Sequence, residues 1–397
     1  MRYLGTFILL LSILNAEGLE YLTKEKQDIQ TYRSQEIDTA YEQLKYNWLN
    51  PLSLVLSTRQ DNSAQDIASE TQSAYLSLSQ DIFRSGGIYY AIQYAKSKYA
   101  YDRIALEEEN AALSQQLFTT LLTIKRTRYQ LAQSETRLKN REIELLIKRQ
   151  QYEAGDVDIT QLNNAIMERN AEQKTLTNLK TTLNNARIDL KKLTDKSEDD
   201  IPLPTFSLVD KQRYLERNYA VTKLREQSRL THNQYAVTRA GYLPALNLSG
   251  QYGTTDYTND DLGTSYSGDY YYIGLQLSIP LDFTTGATLQ EAKVNALKTQ
   301  SQTLDKQREE DAYYDQIKAN IAAYNEYIAL TKANLALYDE LIEATAAGVK
   351  TGYRSGYDLA TLENTKKIDE YEITINELSI QLELVKLHYL TKEAAHE

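Results

Sequence analysis

The sequence predicts a mainly α chain with a β-barrel part: a long α-helical coiled-coil barrel continuous with a transmembrane β-barrel, built from two internal structural repeats and completed as a trimer. Three observations predict it. A seven-residue apolar ladder occurs twice, in register with itself. Two long stretches, Ile88–Glu153 and Ala287–Lys350, hold almost no helix breakers, the one exception being Gly348. Between the helical stretches lie segments of strict apolar and polar alternation.

The first ladder is Leu117, Ile124, Leu131, Leu138, Leu145 and Tyr152, and the second is Tyr314, Ile321, Ile328, Leu335, Ile342 and Val349. Gly155 follows the first as Gly352 follows the second. Beyond the glycines, Leu162, Arg169, Leu176, Leu183 and Leu190 match Leu359, Lys366, Ile373, Ile380 and Leu387, so even the single basic rung recurs. A sustained seven-residue apolar period means helices wound left-handed around neighbours. At about 1.5 Å per residue, Ile88–Glu153 makes a helix on the order of 100 Å long. Shorter helices are expected over 158–196 and 357–392, and two more, over 19–48 and 208–239, precede the hairpins. Each short pair laid end to end matches one long helix, as in a cylinder wall.

Hairpins are expected at 51–83 and 243–283. In the first, Leu52, Leu54 and Leu56 alternate with Ser53, Val55 and Ser57, and Leu76, Leu78, Gln80 and Ile82 alternate with Ser77, Ser79, Asp81 and Phe83. Polar Asp61–Thr71 reads as the connection. In the second, Leu246 and Leu248 alternate with Asn247 and Ser249. Six apolar residues from Ile273 to Phe283 then alternate with Gly274, Gln276, Ser278, Pro280 and Asp282, a span of about 11 positions that suits a tilted bilayer-crossing strand. Tyr270, Tyr271 and Tyr272 are expected at a strand end, as an interfacial girdle, and Gly253–Asp269 as an outward loop. Four strands cannot close a barrel, and an open edge in lipid strands backbone donors. Three chains supply about twelve strands, within the range of known barrels.

Arg2, the apolar run Leu4–Leu14 and Asn15-Ala16 have the layout of a secretory signal peptide, 1–16, so the mature chain is expected to leave the cytoplasm. The repeats are then 17–200 and 205–393. Zero Cys removes disulfides, thiolate metal sites and a Cys nucleophile. The net charge of −11 makes nucleic acid an unsuitable partner. His232, His388 and His396 are scattered, no phosphate-binding loop is present, and Glu107-Glu108-Glu109 reads as a solvated helix face. No enzyme, metal or cofactor is indicated.

Three motifs carry a resemblance. Arg239-Ala240-Gly241-Tyr242-Leu243-Pro244-Ala245-Leu246 is similar to the entry into the second barrel hairpin of the TolC-like outer-membrane efflux family. Tyr152-Glu153-Ala154-Gly155-Asp156-Val157-Asp158-Ile159 resembles that family's first inter-helix turn, and Gly352-Tyr353-Arg354-Ser355-Gly356-Tyr357-Asp358-Leu359 its second. The resemblance covers nearly the whole mature chain. It implies a homotrimeric exit duct of a tripartite efflux or type I secretion system in the bacterial outer membrane, with its helical tunnel in the periplasm. The implied partners are a periplasmic adaptor (membrane fusion) protein, an inner-membrane pump and outer-membrane lipid. It also implies a periplasmic gate at the turns, with Asp358 as the lumenal ring carboxylate and Arg354 as a linking residue. Thr361 and Gln161 stand where the family has acidic groups, so fewer charges are expected here, and Thr160 is a further polar partner.

By spacing alone, Arg354 and Asp358 also read as a solvated i,i+4 pair worth about 0.3–0.5 kcal/mol. Gly155, Gly352 and Gly356 read as turn residues, and Gly348, Gly352 and Gly356 equally as a close-packing series. Two other classes fit parts of the pattern: a periplasmic adaptor, which would lack four bilayer-length strands, and a structural coiled-coil surface protein, which would conduct nothing.

Overall fold

The heptad stretches form the two longest helices of a computed structural model that describes residues 18–64, 67–259 and 262–392. The signal sequence and His396 lie outside the described residues. In order, the chain forms α1 (Lys24–Tyr46), β1 (Ser53–Ala64), β2 (Ile67–Phe83), α2 (Gly87–Ala154) and α3 (Ile159–Lys191). It continues with α4 (Lys211–Arg217), α5 (Tyr219–Gly241), β3 (Ala245–Asn259), β4 (Thr264–Ser278), α6 (Thr285–Lys350) and α7 (Gly356–Tyr389). Among the described residues no helix is long and apolar enough to cross a membrane.

The residues group into two compact units. Among the described residues, the first takes 18–31, 106–220 and 307–392, and the second takes the rest of the span between Tyr32 and Ala105 and between Val221 and Lys306. In the first unit the ladders turn inward. Leu117, Ile124, Tyr314 and Ile328 are buried, and most other rungs are half-buried, while Tyr152 at the end of its ladder is exposed. Two polar side chains between the rungs are matched across helices: Gln133 Nε2 donates to Glu372 Oε2 at 2.6 Å, and Ser134 Oγ donates to Glu172 Oε1 at 2.5 Å. Phe118 stacks on Tyr389 with ring centroids 6.0 Å apart, and Phe206 packs on His388 at 5.2 Å.

One expected helix, 208–239, is two. It breaks at Asn218, which has extended backbone and bridges to Thr391, so that the ends of α4 and α7 are tied at one point. No Pro or Gly marks this break. Tertiary hydrogen bonding overrides local propensity there.

The second unit holds the sheet. All neighbours are antiparallel, in the order β1-β2-β3-β4, so the two hairpins pair through β2 and β3. The strands outrun the alternating segments. Most of Asp61–Thr71 and of Gly253–Asp269, expected as loops, lies in the ladder, because hydrogen bonding continues wherever Ser, Thr and Tyr support extended backbone. Tyr270–Tyr272 consequently sit within β4 rather than at its end. Conversely, β4 stops at Ser278, leaving Ile279, Leu281 and Phe283 outside the strand. Pro280 has no N–H to give a ladder, and Asp282 turns the chain by accepting from Thr284 N at 2.8 Å.

Register sorts the sheet into two faces. Leu54, Leu56, Leu76, Leu78, Leu248, Ile273, Leu275 and Leu277 fall on one, in cross-strand rows such as Leu54 opposite Leu76 and Leu248 opposite Leu275. Ser53, Ser57, Ser73, Ser77, Ser249, Gln251, Thr255 and Gln276 fall on the other. The apolar face is uncovered, with Leu56 74% and Ile273 75% exposed. β1 and β4 each leave one edge unpaired within the sheet.

Candidate functional site at the two inter-helix turns

Both turns are built from a helix C-cap followed at once by an N-cap. After α2, Gly155 takes φ +80, and Asp156 N donates to Gln151 O at 2.8 Å. After α6, Gly352 takes φ +76, and Tyr353 N donates to Gly348 O at 2.9 Å. These are six-to-one closures that satisfy the last carbonyls of a helix and require a left-handed residue. A Cβ on Gly155, Gly352 or Gly356 would meet nothing within 4 Å. Close packing therefore does not explain Gly352 or Gly356 within the chain; backbone geometry explains Gly352. At Gly348 a Cβ would lie 2.7 Å from Arg354 Cγ, so this glycine makes room for the arginine to fold back over the end of α6.

That position separates Arg354 from Asp358. The two do not form the ion pair that their spacing suggested. Asp358 Oδ2 instead accepts from Ser355 N at 3.2 Å, while Ser355 Oγ accepts from Tyr357 N at 3.1 Å, which makes a capping box at the start of α7. Arg354 lies by the C-terminal end of α6, where helix carbonyls favour a cation. In the first turn Asp158 plays the capping part, accepting from Gln161 N at 3.0 Å.

Arg354, Asp358 and Thr361 line a single open groove of about 700 Å³ together with Arg137, Asn140, Arg141, Glu144 and Lys148 of α2. Gln161 reaches it through its Oε1, which accepts from Lys148 Nζ at 3.3 Å. Thr160 is exposed on the first turn of α3 and does not line the groove. The basic members were missed by sequence reasoning, although Arg137, Arg141 and Lys148 recur at helical spacing on one stretch of α2. Arg141 pairs with Glu144 at 2.8 Å and with Glu168 at 2.6 Å. The Glu144 hydrogen bond chiefly, opposed by burial and helped by Glu168, pushes its pKa up. Within the groove Asn140 Nδ2 donates to Thr365 Oγ1 of α7 at 3.3 Å, and Lys366 of α7 pairs with Asp339 of α6 at 2.6 Å. The groove thus sets charged and polar side chains beside the apolar Ile143, Ile147, Leu362 and Ile368.

Comparison with known proteins agrees with this architecture. Residues 211–367 match the family model described as outer membrane efflux protein. The outer membrane protein VceC of Vibrio cholerae has a similar fold, with a TM-score of 0.73 at 16% identity, covering 95% of each chain. The CmeC outer membrane channel of Campylobacter jejuni gives 0.71 at 15% identity, over 94% of this chain and 84% of its own. The MtrE outer membrane channel of Neisseria gonorrhoeae gives 0.68 at 15% identity, over 94% and 86%. No curated protein sequence matches. In fold along nearly its whole length, and in sequence over residues 211–367, the chain resembles the TolC-like outer membrane efflux proteins.

Proposed function

We propose that this chain is an outer-membrane channel, the exit duct of a tripartite efflux or type I secretion system, working as a conduit and not as an enzyme. The observation that carries the reading is the sheet: an uncovered apolar face runs over four strands, the opposite face is polar, and both edges are open. In water such a face and such edges favour aggregation. In an outer membrane, three copies joined β4 to β1 would satisfy every edge, place the leucines in lipid and leave hydroxyls around an aqueous path. The recurring order of helix, hairpin, long helix and shorter helix supports two repeats, with the helices forming a periplasmic tunnel.

The gate is assigned to the inter-helix turns. Three Asp358 carboxylates around an axis attract cations, as charged rings do in channels. The basic stripe of α2 holds neighbouring helices through polar links, Arg137 to Glu372, Arg141 to Glu168 and Lys148 to Gln161, that can part without unfolding a core. The exposed tips, with Tyr353, Tyr152 and Ile159 uncovered, suit a periplasmic adaptor that presses the turns apart while an inner-membrane pump supplies energy.

Single-channel recording in a planar bilayer tests the reading. The expected result is small cation-favouring steps that enlarge or lose cation preference in Asp358→Ala. Ser355→Ala breaks the same capping box without removing a charge, so it should leave ion preference intact. Identical behaviour of wild type and Asp358→Ala would sink the gate assignment, and failure to insert would sink the channel.

A further inference from the structure

We propose that the polar face of the sheet carries an aromatic track that binds planar aromatic solutes, which names a cargo class for the conduit; it rests on the channel reading, in which this face lines the water path. Register places five tyrosines on that face. Tyr257 stands opposite Tyr266; Tyr75 and Tyr270 stand on either side of Gly253 in one cross-strand row; Tyr272 stands opposite Gln251.

Three glycines on the same face decide how the rings lie. Gly268 and Gly274 each stand two residues beyond a tyrosine on β4, under its phenol: a Cβ on Gly268 would lie 2.7 Å from Tyr266 Oη, and one on Gly274 would collide with Tyr272 Oη. Each ring therefore leans along the strand over a residue without a side chain. At Gly253 the backbones of β2 and β3 approach so closely that a Cβ would overlap Tyr75. The rings of Tyr75 and Tyr270 come within 6.4 Å across this gap. Tyr266 and Tyr272 remain 59% and 53% exposed, so the surface of these rings is open to solvent.

The charges on this face are paired, including Arg59, which shares a cross-strand row with Tyr257 and Tyr266 through Thr71. Arg59 and Asp61 pair with each other at 3.0 Å toward the hairpin turns. Asp81, at the opposite end, accepts from Asn247 at 3.0 Å and pairs with Arg84 at 3.3 Å. Between them the rows contain Ser, Thr, Gln, Gly, Val and Tyr. Rows of hydroxyls and open phenol rings, with the one charge among them, Arg59, already paired with Asp61, suit a planar aromatic solute, which stacks offset or edge-on. A positive charge on the solute adds attraction to the ring faces.

The test uses full-length protein and ethidium, a planar aromatic cation, with tetraethylammonium as a non-aromatic cation of equal charge. In single-channel recordings ethidium should reduce the open current reversibly at concentrations where tetraethylammonium does not. Replacing both Tyr266→Thr and Tyr272→Thr should raise the half-blocking concentration, measured against each protein's own unblocked current, about tenfold, the scale of two lost ring contacts. Gly274→Ala should weaken block in the same direction while keeping every tyrosine, because its Cβ lifts the Tyr272 ring. Equal block of wild type and the double variant, or equal block by the two cations, overturns the proposal. If neither protein conducts, the channel reading fails, and ethidium fluorescence anisotropy with solubilised protein decides the track: tyrosine-dependent binding supports it, and its absence overturns it.

Discussion

The hydroxyl of Tyr214 donates to Glu310 Oε2 at 2.5 Å inside a core where Tyr214 has 0% exposure. The same oxygen accepts from Asn218 Nδ2 at 3.0 Å, at the residue where α4 breaks from α5. One carboxylate oxygen thus ties a buried ring to a helix break, and Tyr314, Ile317 and Leu387 close the cluster. Burial first, and the Glu310 bond second, push the Tyr214 pKa up. A tyrosine in the unfolded chain titrates near ~10. The neutral phenol is therefore favoured in the native state, and its contribution is full below about pH 10 and lost as pH rises above it. Thermal unfolding followed by circular dichroism should show a midpoint insensitive to this group at neutral pH and falling in alkali. Tyr214→Phe should cost about 1–3 kcal/mol at neutral pH and flatten the alkaline fall.

Gly155 and Gly352 should tolerate bulk but not backbone change. Nothing occupies the space a Cβ would take at either position, so Gly352→Ala costs only the left-handed conformation, about 1 kcal/mol. Gly352→Asn should cost less, since asparagine enters that region more readily. Paired melting curves of the two variants and the wild type give the order.

The capping box predicts local loosening at the start of α7. Ser355→Ala should reduce helix stability by about 0.5–2 kcal/mol. Hydrogen exchange read by peptide mass spectrometry should speed up over residues 355–360 and remain unchanged over α3. Acceleration spread along all of α7 would contradict a purely local cap.

Charge placed on alternate residues of β4 should have opposite consequences. Leu275→Arg falls on the apolar face and should block stable insertion, at a cost of about 2–4 kcal/mol for a site near mid-bilayer. Gln276→Arg falls on the polar face and should insert normally while shifting ion preference toward anions. Vesicle flotation and conductance distinguish the two. Equal tolerance would mean that the faces do not separate lipid from water.

Much of the helical framework was legible because a seven-residue period states both the conformation and the buried stripe. The ends of α2 were readable to within a residue from Gly87 and Gly155, where a left-handed turn or a missing side chain ends a helix. The strands were only half legible. Alternation located their apolar segments, but Ser, Thr and Tyr continue a ladder without announcing it, so the Asp61–Thr71 and Gly253–Asp269 segments looked like loops. At the turns, the resemblance supplied Asp358 and Arg354 as gate residues, and spacing alone offered them as a pair with each other, because i,i+4 spacing gives proximity along a regular helix. The residues from Gly352 to Ser355 do not form one.

By itself, the sequence determined which stretches are helical, where they turn and which alternate residues of the hairpins are oily, since these depend on local period and on glycine's access to positive φ. Only the tertiary structure decided that β2 pairs with β3, that Asn218 interrupts a helix, and that Asp358 serves Ser355 while Arg354 folds over Gly348. Those outcomes depend on hydrogen-bond partners distant in sequence, or on competition between nearby ones. Local pattern cannot rank such partners, because their energies are set by burial and approach in the folded chain.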